Sequence, residues 1–223
     1  MALRVPIWDL PTRVFHWALA LNFFGAYVTG ESERWALLHI TFGYTLLGLI
    51  VFRLVWGLVG GRYARFTQFV TGPAAVSDYI ASLIRRRPIH YAGHNPAGAL
   101  AIAILLLLGL VSAVSGWLVY EDAPGDWLEE LHETVSFIML LTVFIHIAGV
   151  LISSRLHGEN LVLAMIDGRK KVEDNQSITR QYPLVALFLL VSMLTFWLWS
   201  FKDSLPMGAA FADFLSSFGF GNK

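Results

Sequence analysis

Residues 132–146 read HETVSFIMLLTVFIH, two histidines bracketing thirteen residues of which only Glu133 is charged. Fourteen positions is nearly four turns of 3.6 residues, so both imidazoles fall on one face of a helix. They lie about 21 Å apart along its axis. Histidine is costly in hydrocarbon unless something uses its lone pair, so intramembrane histidine marks a functional site. The stretch therefore predicts a membrane-spanning helix that offers ligands at two depths.

Outward from this stretch the chain keeps the same character. It is 223 residues long, 56% hydrophobic and only 14% charged, where an average soluble domain is about one quarter charged. Apolar runs long enough to cross a hydrocarbon core, which takes about 20 residues, occur near 14–30, 36–60, 96–120, 132–153 and 183–201. Five spans are expected. The opening MALRVPIWDLPT has no small-residue cleavage site, so the first helix is expected to stay in the mature protein. There is no cysteine, which excludes disulfides, iron–sulfur clusters and covalent c-type haem and leaves histidine or oxygen to hold any metal.

Charge sets the expected orientation. Arg53, Arg62, Arg65, Arg85, Arg86 and Arg87 lie between or beside the second and third spans, and Arg155, Arg169, Lys170, Lys171 and Arg180 follow the fourth. The turn 120–131 (YEDAPGDWLEEL) has five acids and no base. By the positive-inside rule the N-terminus, the 61–93 loop and the 155–181 segment are cytoplasmic, and the acidic turns face outward. Nothing in this pattern points to nucleic acid. Trp8, Trp17, Trp35, Trp56, Trp117, Trp127, Trp197 and Trp199 fall near span ends, where interfacial rings belong. The Pro124-Gly125 turn makes spans three and four antiparallel neighbours. Segment 156–181 reads as a linker with a short interfacial helix at 159–166. The 203–223 tail, with Phe211, Phe214, Phe218 and Phe220, reads as an outer-surface or disordered element.

Depth then sorts the histidines. His16, beside Arg13, opens span one at the cytoplasmic side, and His39 opens span two at the outer side. His132 is at the outer end of span four and His146 at the inner level. Two pairs result: His39 with His132, and His16 with His146. Two bis-histidine b-type haems fit this spacing and the absence of cysteine, and closed axial positions favour electron transfer over chemistry at iron. Structural zinc would want four clustered ligands, and a proton relay would bring intramembrane carboxylates, which are absent away from the helix ends. Arg13, Arg34 and Arg53 are candidate propionate contacts, with end-of-helix snorkelling as the plainer role. His90, His94 and His157 fall at cytoplasmic ends outside both levels. Asn95-Pro96 after His94 reads as an ordinary helix start.

The motifs Thr12-Arg13-Val14-Phe15-His16-Trp17, Leu38-His39-Ile40 with Arg53, and Leu131-His132-Glu133-Thr134 followed by His146 resemble the bacterial cytochrome b561 family, which includes b-type cytochrome subunits of nickel–iron hydrogenases. The resemblance covers about residues 7–155. It implies an all-α membrane protein, a four-helix transmembrane core over 1–155 with two haem b groups, those four histidines as axial iron ligands, and respiratory electron exchange with a quinone. The partner expected is a periplasmic cytochrome c or a hydrogenase-like subunit. Two alternatives are a superoxide:quinone oxidoreductase and a haem-containing anchor subunit. The chain departs from the compact members of the family by adding the 156–181 linker and a fifth transmembrane helix with tail over 182–223. The acidic outer turn, moreover, would repel superoxide.

Overall fold

The computed structural model describes residues 3–172 and 174–202. Two short strands and seven α-helices run in the order β1 (Leu3–Pro6), α1 (Leu10–Thr29), α2 (Ala36–Val59), α3 (Pro73–Ile84), α4 (Pro96–Tyr120), α5 (Trp127–His157), α6 (Leu161–Asp167), β2 (Arg169–Val172) and α7 (Pro183–Phe201). The helix starts follow their local chemistry. Asp9 caps α1 by accepting from the Thr12 amide at 3.0 Å, and Asn95 caps α4 by accepting from Gly98 at 2.7 Å, each with proline in the first turn. Gly158 ends α5 in the left-handed conformation, φ 62°, which glycine adopts at no steric cost.

By length and composition four helices can cross a membrane: α2 with its preceding turn (Glu33–Val59), α4, α5 and α7. The first expected span is a helix of 20 residues, long enough at about 30 Å. Its turns, however, carry Arg13, His16 and Asn22, which dilute its apolar character below that of the other four. The expected tail, 203–223, lies outside the described residues.

Phe15 and Ala18 of α1, Leu49 and Ile50 of α2, Leu106 of α4 and Leu189 of α7 form one buried core. The last helix is thus part of the bundle. It packs on α1 and α2, and the Trp197 indole donates to Thr45 Oγ1 at 2.9 Å. Helix α5 packs chiefly on α4, with Ser112 and Ser136 hydroxyls bonded at 2.7 Å. Small residues permit the closest approaches: a Cβ on Gly109 would stand 2.9 Å from Ile50 Cδ1 and 3.3 Å from Met139 Cε, where α2, α4 and α5 meet.

The basic end carries a second core of Val5, Ile7, Trp8, Tyr63 and Ala164. Strands β1 and β2 pair antiparallel, Leu3 opposite Val172 and Pro6 opposite Arg169. The amides of Ile7 and Trp8 both bond to the Gly168 carbonyl. The N-terminus and the segment after α5 are thereby one ordered cap on one side of the bundle. The helix expected at 159–166 is α6, and the rest of the expected linker holds β2 and its turns rather than free chain.

Candidate functional site

At the acidic end, α2 and α5 bring His39 and His132 together. Their ring centroids are 6.1 Å apart with planes at 89°. His39 Nδ1 lies 2.8 Å from the Ala26 carbonyl of α1. His132 Nδ1 lies 2.9 Å from the Ser112 carbonyl of α4, with Ser115 Oγ at 3.4 Å. A carbonyl only accepts, so both Nδ1 atoms donate to it, which leaves Nε2 of each ring as the atom that can face a metal. One metal bonded to both rings at about 2 Å per nitrogen would set the centroids about 6 Å apart. Imidazoles oriented from behind and set at that distance could hold one metal ion between them.

Glycines clear the space. Gly116 of α4 lies against His132, and a Cβ there would stand 2.7 Å from the ring's Cε1. Gly30 lies against His39, its Cβ position 3.4 Å from Cε1. One turn beyond His39, on the same face of α2, a Cβ on Gly43 would meet nothing within 4 Å. That open side is room for a flat group.

At the basic end, His16 of α1 sits within electrostatic reach of His146 of α5, and His94 is within reach of both. This group differs from the outer pair. His16 Nδ1 and His94 Nδ1 are buried without a hydrogen-bond partner among the described residues. The His94 ring is packed between Trp8 and Phe69, with centroids at 4.4 and 4.5 Å. Burial, then the charges of Arg53, Lys170, His16 and His146, lower its pKa from 6.5 to about 3, so its imidazole is neutral.

The three arginines stand in three different settings. Arg13 reaches α6, donating from Nη2 to the Ile166 carbonyl, while its Nε is buried without a partner. Trp17, one turn on, donates to the Met165 carbonyl at 3.2 Å; together they satisfy carbonyls that the end of α6 leaves free. Arg34 is exposed beside its neighbour Trp35, 5.2 Å from the ring centroid. Arg53 is 2% exposed, donates to the Ala64 carbonyl at 3.0 Å and lies 4.9 Å from the Phe66 ring centroid. It faces the Asp9 charge, and Asp9 also accepts from the Trp56 indole at 3.4 Å.

His90 and His157 pair at the end of α5, rings 4.8 Å apart, with His157 Nδ1 donating to the Ser153 carbonyl at 2.9 Å. Sequence reasoning missed three features of the sites. The carbonyls of Ala26 and Ser112 have no side-chain signature, so their role is invisible in one-letter code. The Ser115 hydroxyl could have been found: it lies on the face of α4 that Gly116 and Ser112 mark as small. Lys170, buried within β2, donates to the Tyr91 carbonyl at 2.8 Å and lies 3.9 Å from Glu159; its neighbours Arg169 and Lys171 made it look like one more solvated charge.

Residues 7–168 match the family model described as prokaryotic cytochrome b561. Among similar proteins are probable Ni/Fe-hydrogenase B-type cytochrome subunits. That of Rhodobacter capsulatus is 22% identical, covering 77% of this chain and 83% of its own. Those of Rhizobium leguminosarum bv. viciae and Azotobacter vinelandii are also 22% identical over 77% of this chain, covering 91% and 90% of theirs. No solved structure matches. With histidines facing inside a bundle of apolar helices and a family match over most of its length, the chain belongs to the prokaryotic cytochrome b561 family and is a multi-pass membrane b-type cytochrome.

Proposed function

We propose that the protein is a dihaem electron-transfer cytochrome, with haem b held by His39 and His132 at one level and by His16 and His146 at the other. The observation that carries this reading is the outer pair: rings 6.1 Å apart, each with Nδ1 committed to a backbone carbonyl. The chain does the holding, and the iron supplies one-electron chemistry by cycling between ferric and ferrous states. The α4 and α1 carbonyls orient the two rings, Gly116 makes room for the His132 ring, and Gly43 beside His39 would leave a macrocycle room. Because His132 and His146 are 14 residues apart on one helix, the two levels are separated by about 21 Å along it. That leaves macrocycle edges closer still, and no moving part is needed between them.

In this reading α1 also crosses the membrane, since His16 must reach the level of His146. The N-terminus, the 61–93 loop and the β1–β2 cap are cytoplasmic, and the acidic turn is periplasmic, in the inner membrane. Electrons pass between a membrane quinone and a redox partner, either a hydrogenase-like subunit or a periplasmic cytochrome c. The likeness to proteins named as hydrogenase cytochrome subunits supports the first partner. Exposed Glu121, Asp122, Asp126, Glu129 and Glu130 suit a basic partner surface and oppose superoxide capture.

The test is the spectrum and haem content of the detergent-purified protein. Two low-spin haems per chain are expected, falling to one in His132→Ala and to one in His146→Ala. Retention of both haems in either variant would sink the assignment. Rapid reduction of the oxidised haems by superoxide would instead favour the oxidoreductase alternative.

A further inference from the structure

The basic end has buried side-chain nitrogens without partners, each of which can donate a hydrogen bond. Arg13 Nε, His16 Nδ1 and His94 Nδ1 are each shielded from solvent without an acceptor among the described residues. The acids nearby are taken. Asp9 accepts from Thr12 and Trp56, Glu159 from the Lys171 amide, and Asp167 from Arg4 and the Arg169 amide. A buried nitrogen left without a partner is costly, and Arg13 Nε and His94 Nδ1, lying in one neighbourhood, call for an acceptor supplied from outside the chain.

These donors form one neighbourhood. Arg13 precedes His16 by a single turn of α1. Gly168 ties Arg13 to Trp8: a Cβ there would stand 2.9 Å from the Trp8 carbonyl and 3.1 Å from Arg13 Nη1. The Trp8 ring in turn packs against His94, centroids 4.4 Å apart. Arg53 and Lys170 add positive charge around His94, so the acceptor that fits is an anion with several oxygens. Arg53 itself is committed to Ala64 and the Phe66 ring, and Lys170 to Tyr91 and Glu159.

We infer that Arg13 Nε and His94 Nδ1 receive the propionate carboxylates of the inner haem. This rests on the proposed His16/His146 site and assigns His94, which no ligand pairing uses, to cofactor binding. Each N–H donates to a carboxylate oxygen, and the surrounding cations offset the carboxylate charge. Removing a donor leaves more negative charge beside the iron and favours the ferric state.

The test is a potentiometric titration with resonance Raman spectroscopy on the full-length purified protein, the inner component being the one lost in His146→Ala. His94→Phe, which keeps an aromatic ring between Trp8 and Phe69, should shift the inner midpoint potential downward and move its propionate bending band. The outer haem should be unchanged. His94→Gln, which restores a donor, should lie nearer the wild type, and Arg13→Met should repeat the effect through the other carboxylate, giving a second readout if His94→Phe does not assemble. An inner haem whose potential and propionate band are unmoved in the variants that assemble would overturn the inference while leaving the dihaem reading intact. Haem content left undiminished by His146→Ala would overturn both.

Discussion

His39 and His132 meet at right angles, 6.1 Å between ring centroids, and neither is oriented by a side chain alone. Their Nδ1 protons go to carbonyls on two other helices, α1 and α4. Four helices therefore converge on one pair of imidazoles. The orientation of both rings is built into the bundle.

This arrangement makes Gly116 a sensitive position. A methyl group there would stand 2.7 Å from Cε1 and 2.9 Å from Nδ1 of His132, so the ring must turn away from the Ser112 carbonyl. Gly116→Ala should weaken the outer site by tenfold or more in haem retention, the order found when the support of a metal ligand is disturbed. Haem content during dilution in detergent measures this. Gly43→Leu should have the same effect by filling the open face of α2, with helicity by circular dichroism unchanged.

Arg53 offers a contrast. It is buried, and its guanidinium holds the Ala64 carbonyl and lies over Phe66 near Asp9. Leaving the buried Ala64 carbonyl without its donor costs about 1–3 kcal/mol. Arg53→Met should therefore lower thermal stability by that order, read as an earlier unfolding transition in detergent, while the visible spectrum of protein that folds is retained. Loss of the inner haem in otherwise folded protein would instead make Arg53 a propionate ligand.

How much of this was legible in the chain depends on the range over which the signal acts. The spacing of His132 and His146 gives a shared face because helical periodicity is local, and Asn95-Pro96 marks the α4 start for the same reason. Strand Leu3–Pro6 was not legible: four residues pair with Arg169–Val172 far along the chain, and neither segment alternates clearly enough to stand alone. The 156–181 segment is polar because it covers the bundle end, and composition cannot separate a polar cap from a polar linker. Helix α7 reads as apolar all round, so nothing in it reveals that Ala186, Leu189 and Trp197 face α1 and α2.

That last contact carries its own expectation. Thr45→Val leaves the Trp197 indole N–H without its acceptor between two helices. Interhelical hydrogen bonds in membranes are worth about 0.6 kcal/mol on average and up to about 1.7. A loss of that size should appear in detergent or denaturant unfolding. Deleting 183–223 should cost considerably more, because Leu189 leaves the core shared with Phe15 and Leu106. Neither change touches a histidine, so the spectrum of the folded fraction should hold.

Lys170 makes the cap pH-dependent. Burial lowers its pKa from 10.5, against the opposing pull of Glu159. Between the lowered folded value and 10.5 the unfolded chain binds more protons than the folded one, so stability rises with pH across that window and is level below it. Hydrogen exchange of the Leu3–Pro6 and Arg169–Val172 amides, corrected for intrinsic rates, should show greater protection as pH rises through the alkaline range. Lys170→Met removes the ionisable group and should flatten this dependence. A protection that instead falls with pH in the wild type, and is flattened by the same substitution, would mean that the Glu159 pair outweighs the cost of burial.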